Sequence, residues 1–189
     1  MSERDFIKAG FLVVRREDTE VMYRGMDGLQ WPLEEFESAW ADLREELGIP
    51  QDIVLLDVPE LATNWEAAHS YWQICLESGL RSDLLLVESR AGYADLEWPL
   101  RTQWELLGYD VTYLNGHYSA IYNEVREGRS LSSWMSELNE NGLFHSLDQV
   151  ERFLKERSIL IKRGVGDVED FGSVVPMRLW RFAGCEDAC

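Results

Sequence analysis

Five of the eight tryptophans lie in the most acidic part of the chain, and this combination strongly constrains the fold. The window from Pro32 to Asp110 holds 17 Asp and Glu against four Lys and Arg, and it supplies 13 of the 17 net negative charges. Disordered acidic segments are poor in aromatic residues. This window contains Trp40, Trp65, Trp72, Trp98 and Trp104. We therefore expect the acidic region to fold and to pack most of its tryptophans.

The length of 189 residues and the 46% hydrophobic content are sufficient for one buried core. We predict a single globular domain over residues 1–182 and a polar C-terminal tail over residues 183–189. The apolar run Ala9–Val14 is too short for a signal peptide or a membrane span, so a cytoplasmic location is expected. Three cysteines, an odd number, argue against a disulfide framework.

Three helices are predicted from apolar residues spaced three and four apart. The first begins at Pro32 and ends at Gly48. The second spans Ala62–Leu76, and the third begins at Ser146, which forms a capping-box pattern with Gln149. In the second helix we expect Trp65, Ala68, Trp72 and Cys75 to face inward. Shorter helical segments are expected over Tyr118–Arg126 and Leu131–Leu138, and Tyr93–Leu107 is compatible with a helix whose start Pro99 limits.

Strands are predicted where short apolar or alternating runs are bounded by turn residues. These runs are Ala9–Arg16, Glu20–Tyr23, Ile53–Val58, Leu84–Val87, Gly108–Leu114 and Val174–Phe182. Pro176 places the last of them at a sheet edge. Because strands and helices do not alternate regularly, we predict an α+β fold with a mixed or antiparallel sheet and helices mostly on one face.

The scarce histidines offer the main route to catalysis. His69 follows Glu66 by one helical turn, and His117 lies close to Ser119, with Asp110 nearby in the sequence. No Gly-x-Ser-x-Gly motif accompanies Ser119. We therefore predict a non-enzymatic protein with no catalytic residue. The alternative is a small hydrolase or transferase that uses His117 or His69.

No pattern of metal ligands or phosphate-binding glycines occurs, and we predict neither a cofactor nor a metal. A carboxylate-only Mg²⁺ site and a glycosidase-like pair drawn from Glu88, Asp95 and Glu97 stay open. The strongly negative charge disfavours direct binding to nucleic acid. The basic residues near the C-terminus are interpreted as a solvated helix face; they are Arg152, Lys155, Arg157, Lys162 and Arg163.

Acidic side chains of the first two predicted helices and two tryptophans form the predicted partner-binding surface. The first helix supplies Glu34, Glu35, Asp42, Glu45 and Glu46, and the second supplies Glu66. Trp31 and Trp98 each precede a proline, and turns of this kind favour exposed side chains that anchor an interface. Carboxylates of this density attract a basic protein by charge complementarity.

Four segments carry a resemblance to a known class of protein. They are Leu107–Val111, Ser119–Asn123, Leu138–Phe144 and Phe153–Arg157. Together they span roughly residues 100–163, a run that resembles the immunity proteins of bacterial polymorphic and contact-dependent toxin systems. The resemblance implies a cytoplasmic antitoxin that binds and blocks a toxin domain. It transfers no particular binding residue, and the acidic N-terminal half lies outside it.

The sequence therefore predicts an acidic binding protein that neutralises a basic partner, most specifically a toxin immunity protein. Besides the enzyme alternative, a second alternative is an acidic mimic of DNA that inhibits a DNA-binding protein.

Overall fold

The structure, a computed structural model, describes residues 6–15, 65–77, 79, 82–89, 101–113, 119–126, 128–165, 168 and 174–183. These residues form an α+β fold, as predicted, with four strands and two α-helices. The elements are β1 (Ile7–Arg15), α1 (Trp65–Glu77), β2 (Ser82–Ser89), β3 (Trp104–Tyr113), α2 (Leu147–Lys162) and β4 (Val174–Phe182). The predicted helix from Pro32 and the predicted strands Glu20–Tyr23 and Ile53–Val58 lie outside the described residues.

The four strands form one antiparallel sheet in the order β1-β2-β4-β3. In such a sheet, directly paired residues point to the same face. Phe11, Leu86, Trp180 and Leu106 pair across all four strands and therefore share one face. A bulge at residue 107 of β3 shifts the alternation, so that both ends of the strand present aromatic rings to this face.

Both α-helices pack on that same face, as predicted, but at different ends. Helix α1 contributes Ala68 to a cluster with Phe11 and Leu86. Helix α2 contributes Val150 and Phe153 to the larger cluster at the other end of the sheet. The hydrophobic core on this face therefore consists of two clusters, one under α1 at one end of the sheet and one under α2 at the other end.

The prediction that β4 lies at a sheet edge is wrong, because β4 pairs with β2 on one side and with β3 on the other. Pro176 is tolerated because it pairs with Val111 of β3 and lies beyond the last β2 pair, Ser89 with Met177. Among the described residues, β4 has a ladder partner on one side only at that point. Proline is permitted where no ladder bond needs its missing N–H.

The predicted helix Tyr93–Leu107 is wrong over its last four residues, which belong to β3. Residues 101–103 form a single 3₁₀ turn, and residues 93–100 lie outside the described residues. Trp104 pairs with Phe182 of β4, and both rings join the cluster under α1. Pairing with β4 thus outweighs the local helical pattern.

Helix α1 confirms the predicted inward face. Ala68 and Cys75 are buried, and Trp65 and Trp72 are half-buried, while Glu66 and Glu77 are exposed. Burial raises the pKa of the Cys75 thiol, and this cysteine is not in a disulfide. Two shorter predicted helices are also present, as a π-helical turn over Ile121–Arg126 and a 3₁₀ helix over Ser132–Glu137.

Helix α2 begins with the predicted capping box. Ser146 Oγ accepts the Gln149 N–H at 3.4 Å, and Gln149 Oε1 accepts the N–H groups of Ser146 at 3.1 Å and His145 at 2.8 Å. The Gln149 side chain also donates to the Glu137 carbonyl at 3.0 Å. The cap therefore joins the start of the helix to the preceding 3₁₀ helix.

Ser146→Ala should lower the free energy of unfolding by about 1 kcal/mol, because the N-cap acceptor is lost. Urea denaturation followed by tryptophan fluorescence measures this change. Ser158→Ala, on the exposed face of the same helix, is the matched control and should stay within about 0.5 kcal/mol of the parent protein. Equal losses in both variants would show that the cap contributes nothing.

Candidate functional site

Of the eight predicted partner-binding residues, the structure describes Glu66. It is exposed in the first turn of α1. The other seven lie outside the described residues and stay predictions; they are Glu34, Glu35, Asp42, Glu45, Glu46, Trp31 and Trp98. His117 and the two carboxylates Asp95 and Glu97 also lie outside them.

Helix α1 and strand β4 together display a group of half-buried aromatic rings, here called the aromatic patch. Its members are Trp65, His69 and Trp72 of α1 and Trp180 and Phe182 of β4. The centroid of the Trp65 ring lies 5.1 Å from that of Phe182, and the Trp72 and Phe182 centroids are 5.6 Å apart. Such edge-to-face contacts are favourable and hold the rings in defined orientations.

His69 lies inside this patch, between aromatic rings. Its ring centroid is 4.9 Å from Trp65, 5.7 Å from Trp72 and 5.8 Å from Phe182. Partial burial lowers the pKa of His69, so the imidazole is neutral at neutral pH. The surroundings of His69 are those of a packed, half-buried ring beside the exposed Glu66.

The structure brings the side chains of Ser119 and Asp110 into direct contact. Ser119 Oγ donates to Asp110 Oδ1 at 2.7 Å, and the same oxygen accepts the Val111 N–H at 2.7 Å. Both residues are fully buried, and an antiparallel bridge between Thr112 and Ser119 holds them there. A nucleophile must be reachable by its substrate, and the Ser119 hydroxyl is buried. In this structure the Ser119–Asp110 hydrogen bond attaches residue 119 to β3.

A buried ion pair joins α2 to the π-helical turn. Arg157 Nε lies 2.9 Å from each carboxylate oxygen of Glu124, and the Tyr113 hydroxyl donates to the same carboxylate. Burial alone would lower the pKa of Arg157, but the hydrogen bond and charge of Glu124 outweigh it and raise that pKa. Burial and the neighbouring carboxylate also raise the pKa of Tyr113. The interpretation of Arg157 as part of a solvated face is therefore wrong.

A second buried ion pair lies in the middle of the sheet. Glu88 Oε2 accepts hydrogen bonds from Arg178 Nε and Trp180 Nε1, each at 2.6 Å. Glu88 and Arg178 face each other across β2 and β4 and are 3% and 5% exposed. Glu88 is therefore held by an arginine inside the fold, and these contacts do not support the open possibility that it belongs to a glycosidase-like carboxylate pair.

The charges of the described residues balance. They include 12 Lys and Arg and 12 Asp and Glu, whereas the rest of the chain has six Lys and Arg and 23 Asp and Glu. Exposed pairs add to the two buried ones: Arg152 with Glu137 at 3.3 Å, and Arg181 with Glu105. Hydrogen bonds from Gln149 and Arg152 lower the pKa of Glu137. The net charge of −17 therefore belongs entirely to the residues outside the described ones.

Neither a metal-binding cluster nor a membrane-spanning helix occurs in the part of the chain that the structure describes. No group of three or more His, Cys, Asp or Glu side chains is arranged to hold a metal ion there. None of the helices described is both long and apolar enough to cross a membrane.

Comparisons with protein-family models, curated proteins and solved structures return no match. The aromatic patch was not predicted as a unit, because its residues on α1 and its residues on β4 are more than 100 positions apart in the sequence. The one available signal was the spacing of Trp65, His69 and Trp72 on a single helix stripe.

Proposed function

We propose that this chain is an acidic binding protein that neutralises a basic protein partner. The observation that supports this proposal is the difference in charge between the described residues and the rest of the chain. The described residues are neutral as a set, and two of their buried carboxylates, Glu88 and Glu124, are each held by an arginine. The charges of the described residues therefore cancel, and the rest of the chain carries the whole net charge of −17. Uncompensated charge of this size favours fast association with an oppositely charged protein.

The most specific form of this proposal is a toxin immunity protein that acts in the cytoplasm. It is supported by the resemblance of residues 100–163 to immunity proteins of bacterial toxin systems. Many toxins that act on nucleic acids need a basic groove to hold phosphates, and a carboxylate-rich surface can occupy such a groove.

The segments that carry the resemblance have structural roles in this chain. Asn139 Nδ2 donates to the Leu107 carbonyl at 2.7 Å, and Phe144 and Tyr109 exchange two backbone hydrogen bonds of 2.9 Å. These contacts attach residues 138–144 to the edge of β3 that faces away from β4. The resemblance therefore concerns the framework, and the binding surface is expected on the acidic part of the chain.

The proposal is tested by capture followed by rescue. The purified chain is used as bait in lysate of its source cells, and each captured protein is then expressed in a bacterial host with and without the chain. We expect one basic protein that arrests growth alone and is harmless when the chain is present. Comparable inhibition of several unrelated DNA-binding proteins would instead show a DNA mimic, and the absence of any rescued toxic partner would overturn the proposal.

Reversing Glu34, Asp42 and Glu45 to lysine should slow association with the captured partner about tenfold at low salt. The physical reason is the loss of electrostatic steering, which mainly affects the association rate. Stopped-flow or surface-based kinetics measure it. Glu140, Asp148 and Glu151, all exposed in the described fold, give a control triple reversal with the same change in charge. If both triple variants slow association equally, the predicted acidic face is not the interface.

A further inference from the structure

We propose that the aromatic patch receives an arginine side chain of the basic partner. This inference rests on the proposed function, because it names the chemical group that the partner inserts at this site. The patch consists, as defined above, of Trp65, His69, Trp72, Trp180 and Phe182, all of them half-buried. Exposed aromatic rings held in fixed orientations are the usual anchors of a protein interface.

The rings of the patch are positioned by contacts behind them. Trp72 Nε1 donates to the Ser82 carbonyl of β2 at 3.0 Å, and Trp180 Nε1 donates to the buried Glu88. Trp65 packs edge-on against the buried Phe11, with a centroid distance of 5.6 Å. The polar atom of Trp72 is satisfied inside the fold, so the exposed part of its half-buried ring offers apolar and cation–π contact. Such a surface is prepared before a partner arrives, which lowers the entropic cost of binding.

The acidic residues of α1 beside the patch favour a positively charged ligand. Helix α1 carries Glu66 and Glu77 and no Lys or Arg, and none occurs anywhere between Arg44 and Arg81. His69, the basic group within the patch, has a lowered pKa and adds no positive charge at neutral pH. A cation that approaches the rings of α1 therefore meets two carboxylates and no positive charge on that helix.

Arginine fits this surface better than lysine does. A guanidinium is planar and weakly hydrated, so it stacks on aromatic faces at a small desolvation cost. The fold itself makes such contacts: Arg152 lies 5.2 Å from the centroid of Trp134, and Arg178 lies 5.0 Å from that of Phe6 and 5.3 Å from that of Trp180 within the patch. Exposed Leu106, which pairs with Trp180 across β3 and β4, adds apolar surface beside the patch for the aliphatic part of the side chain.

The test uses a hexa-arginine peptide with the full chain, so it does not depend on finding the partner. Two-dimensional ¹H–¹⁵N spectra follow the tryptophan indole N–H signals during titration at about 150 mM salt, which screens distant charges. We expect saturable shifts of the Trp65 and Trp72 signals, and binding at least about fivefold tighter than that of hexa-lysine.

Charge placed in the patch should weaken this binding. His69→Lys and Glu66→Lys are each expected to raise the Kd for hexa-arginine about tenfold through repulsion of the guanidinium. Ser158→Lys adds a positive charge to the exposed face of α2 and should change the Kd by less than about twofold. His69→Gln, which stays neutral, separates the effect of charge from the loss of the imidazole. Glu66 is exposed, so its variant answers the question even if His69→Lys does not fold.

Three results would each overturn the inference: Trp65 and Trp72 signals that stay unmoved while the peptide binds, equal affinity for hexa-lysine, or equal weakening by Ser158→Lys. None of them bears on the capture and rescue experiment, so the proposed function would then stand with its binding surface elsewhere. Conversely, a patch that binds the peptide in a chain that rescues no toxic partner would contradict the proposed function alone.

Discussion

Arg157→Met should lower the free energy of unfolding by about 3 to 5 kcal/mol, among the largest effects expected of a single substitution in this chain. The methionine fills a similar volume but leaves the Glu124 carboxylate buried, at 2% exposure, with the Tyr113 hydroxyl as a remaining donor. An isolated buried charge is far more costly than a paired one. Urea denaturation at neutral pH, followed by circular dichroism, measures the loss.

The double variant Arg157→Met/Glu124→Gln is the matched control. Glutamine keeps an oxygen that can accept the Tyr113 hydroxyl, but it carries no charge, so at least about 2 kcal/mol should be recovered. A double variant no more stable than Arg157→Met would show that lost packing, rather than the unpaired carboxylate, causes the destabilisation.

Gly108→Ala should destabilise the chain by about 3 kcal/mol, through backbone strain and steric overlap together. Gly108 has φ +143°, a conformation that residues with a Cβ rarely adopt. A Cβ there would lie 2.8 Å from the Phe144 carbonyl oxygen and 2.9 Å from Leu143 Cβ. The glycine therefore lets residues 139–144 approach the outer side of β3.

Gly79→Ala isolates the first of these two contributions. Gly79 has φ +78° but nothing lies within 4 Å of the position of a Cβ, so its variant should lose only about 1 to 2 kcal/mol from strain. Parallel urea denaturation of both variants measures the difference. If Gly79→Ala loses as much as Gly108→Ala, the close approach of residues 139–144 contributes nothing to stability.

Local patterns in the sequence predicted the elements whose stabilising contacts are themselves local. The capping box of Ser146 and Gln149 involves residues three positions apart, and both hydrogen bonds are present. The apolar stripe of α1 likewise repeats within one helix, and Ala68 and Cys75 are buried as expected. Short apolar runs identified β1 and β2, and alternation of side chains identified the second half of β3, for the same reason.

The errors concern residues whose partners are distant in the chain. Pro176 suggested an edge strand, but β4 is central because it pairs with both β2 and β3, and the proline is tolerated because the described pairs with β2 end at Met177. Arg157 looked like one of several solvated basic residues until Glu124, 33 positions earlier, was found beside it. Glu88 looked like one carboxylate among many, and its arginine lies 90 positions later.

The sequence by itself determined the α+β class, the helix and strand periodicities that the described residues confirm, and the total charge, because each of these depends on composition or on neighbours within a few residues. Only the tertiary structure decided the strand order, the pairing of the buried charges and the meeting of α1 with β4 in the aromatic patch. Antiparallel pairing and charge burial depend on which distant segments come together, and a single sequence carries no direct record of those contacts.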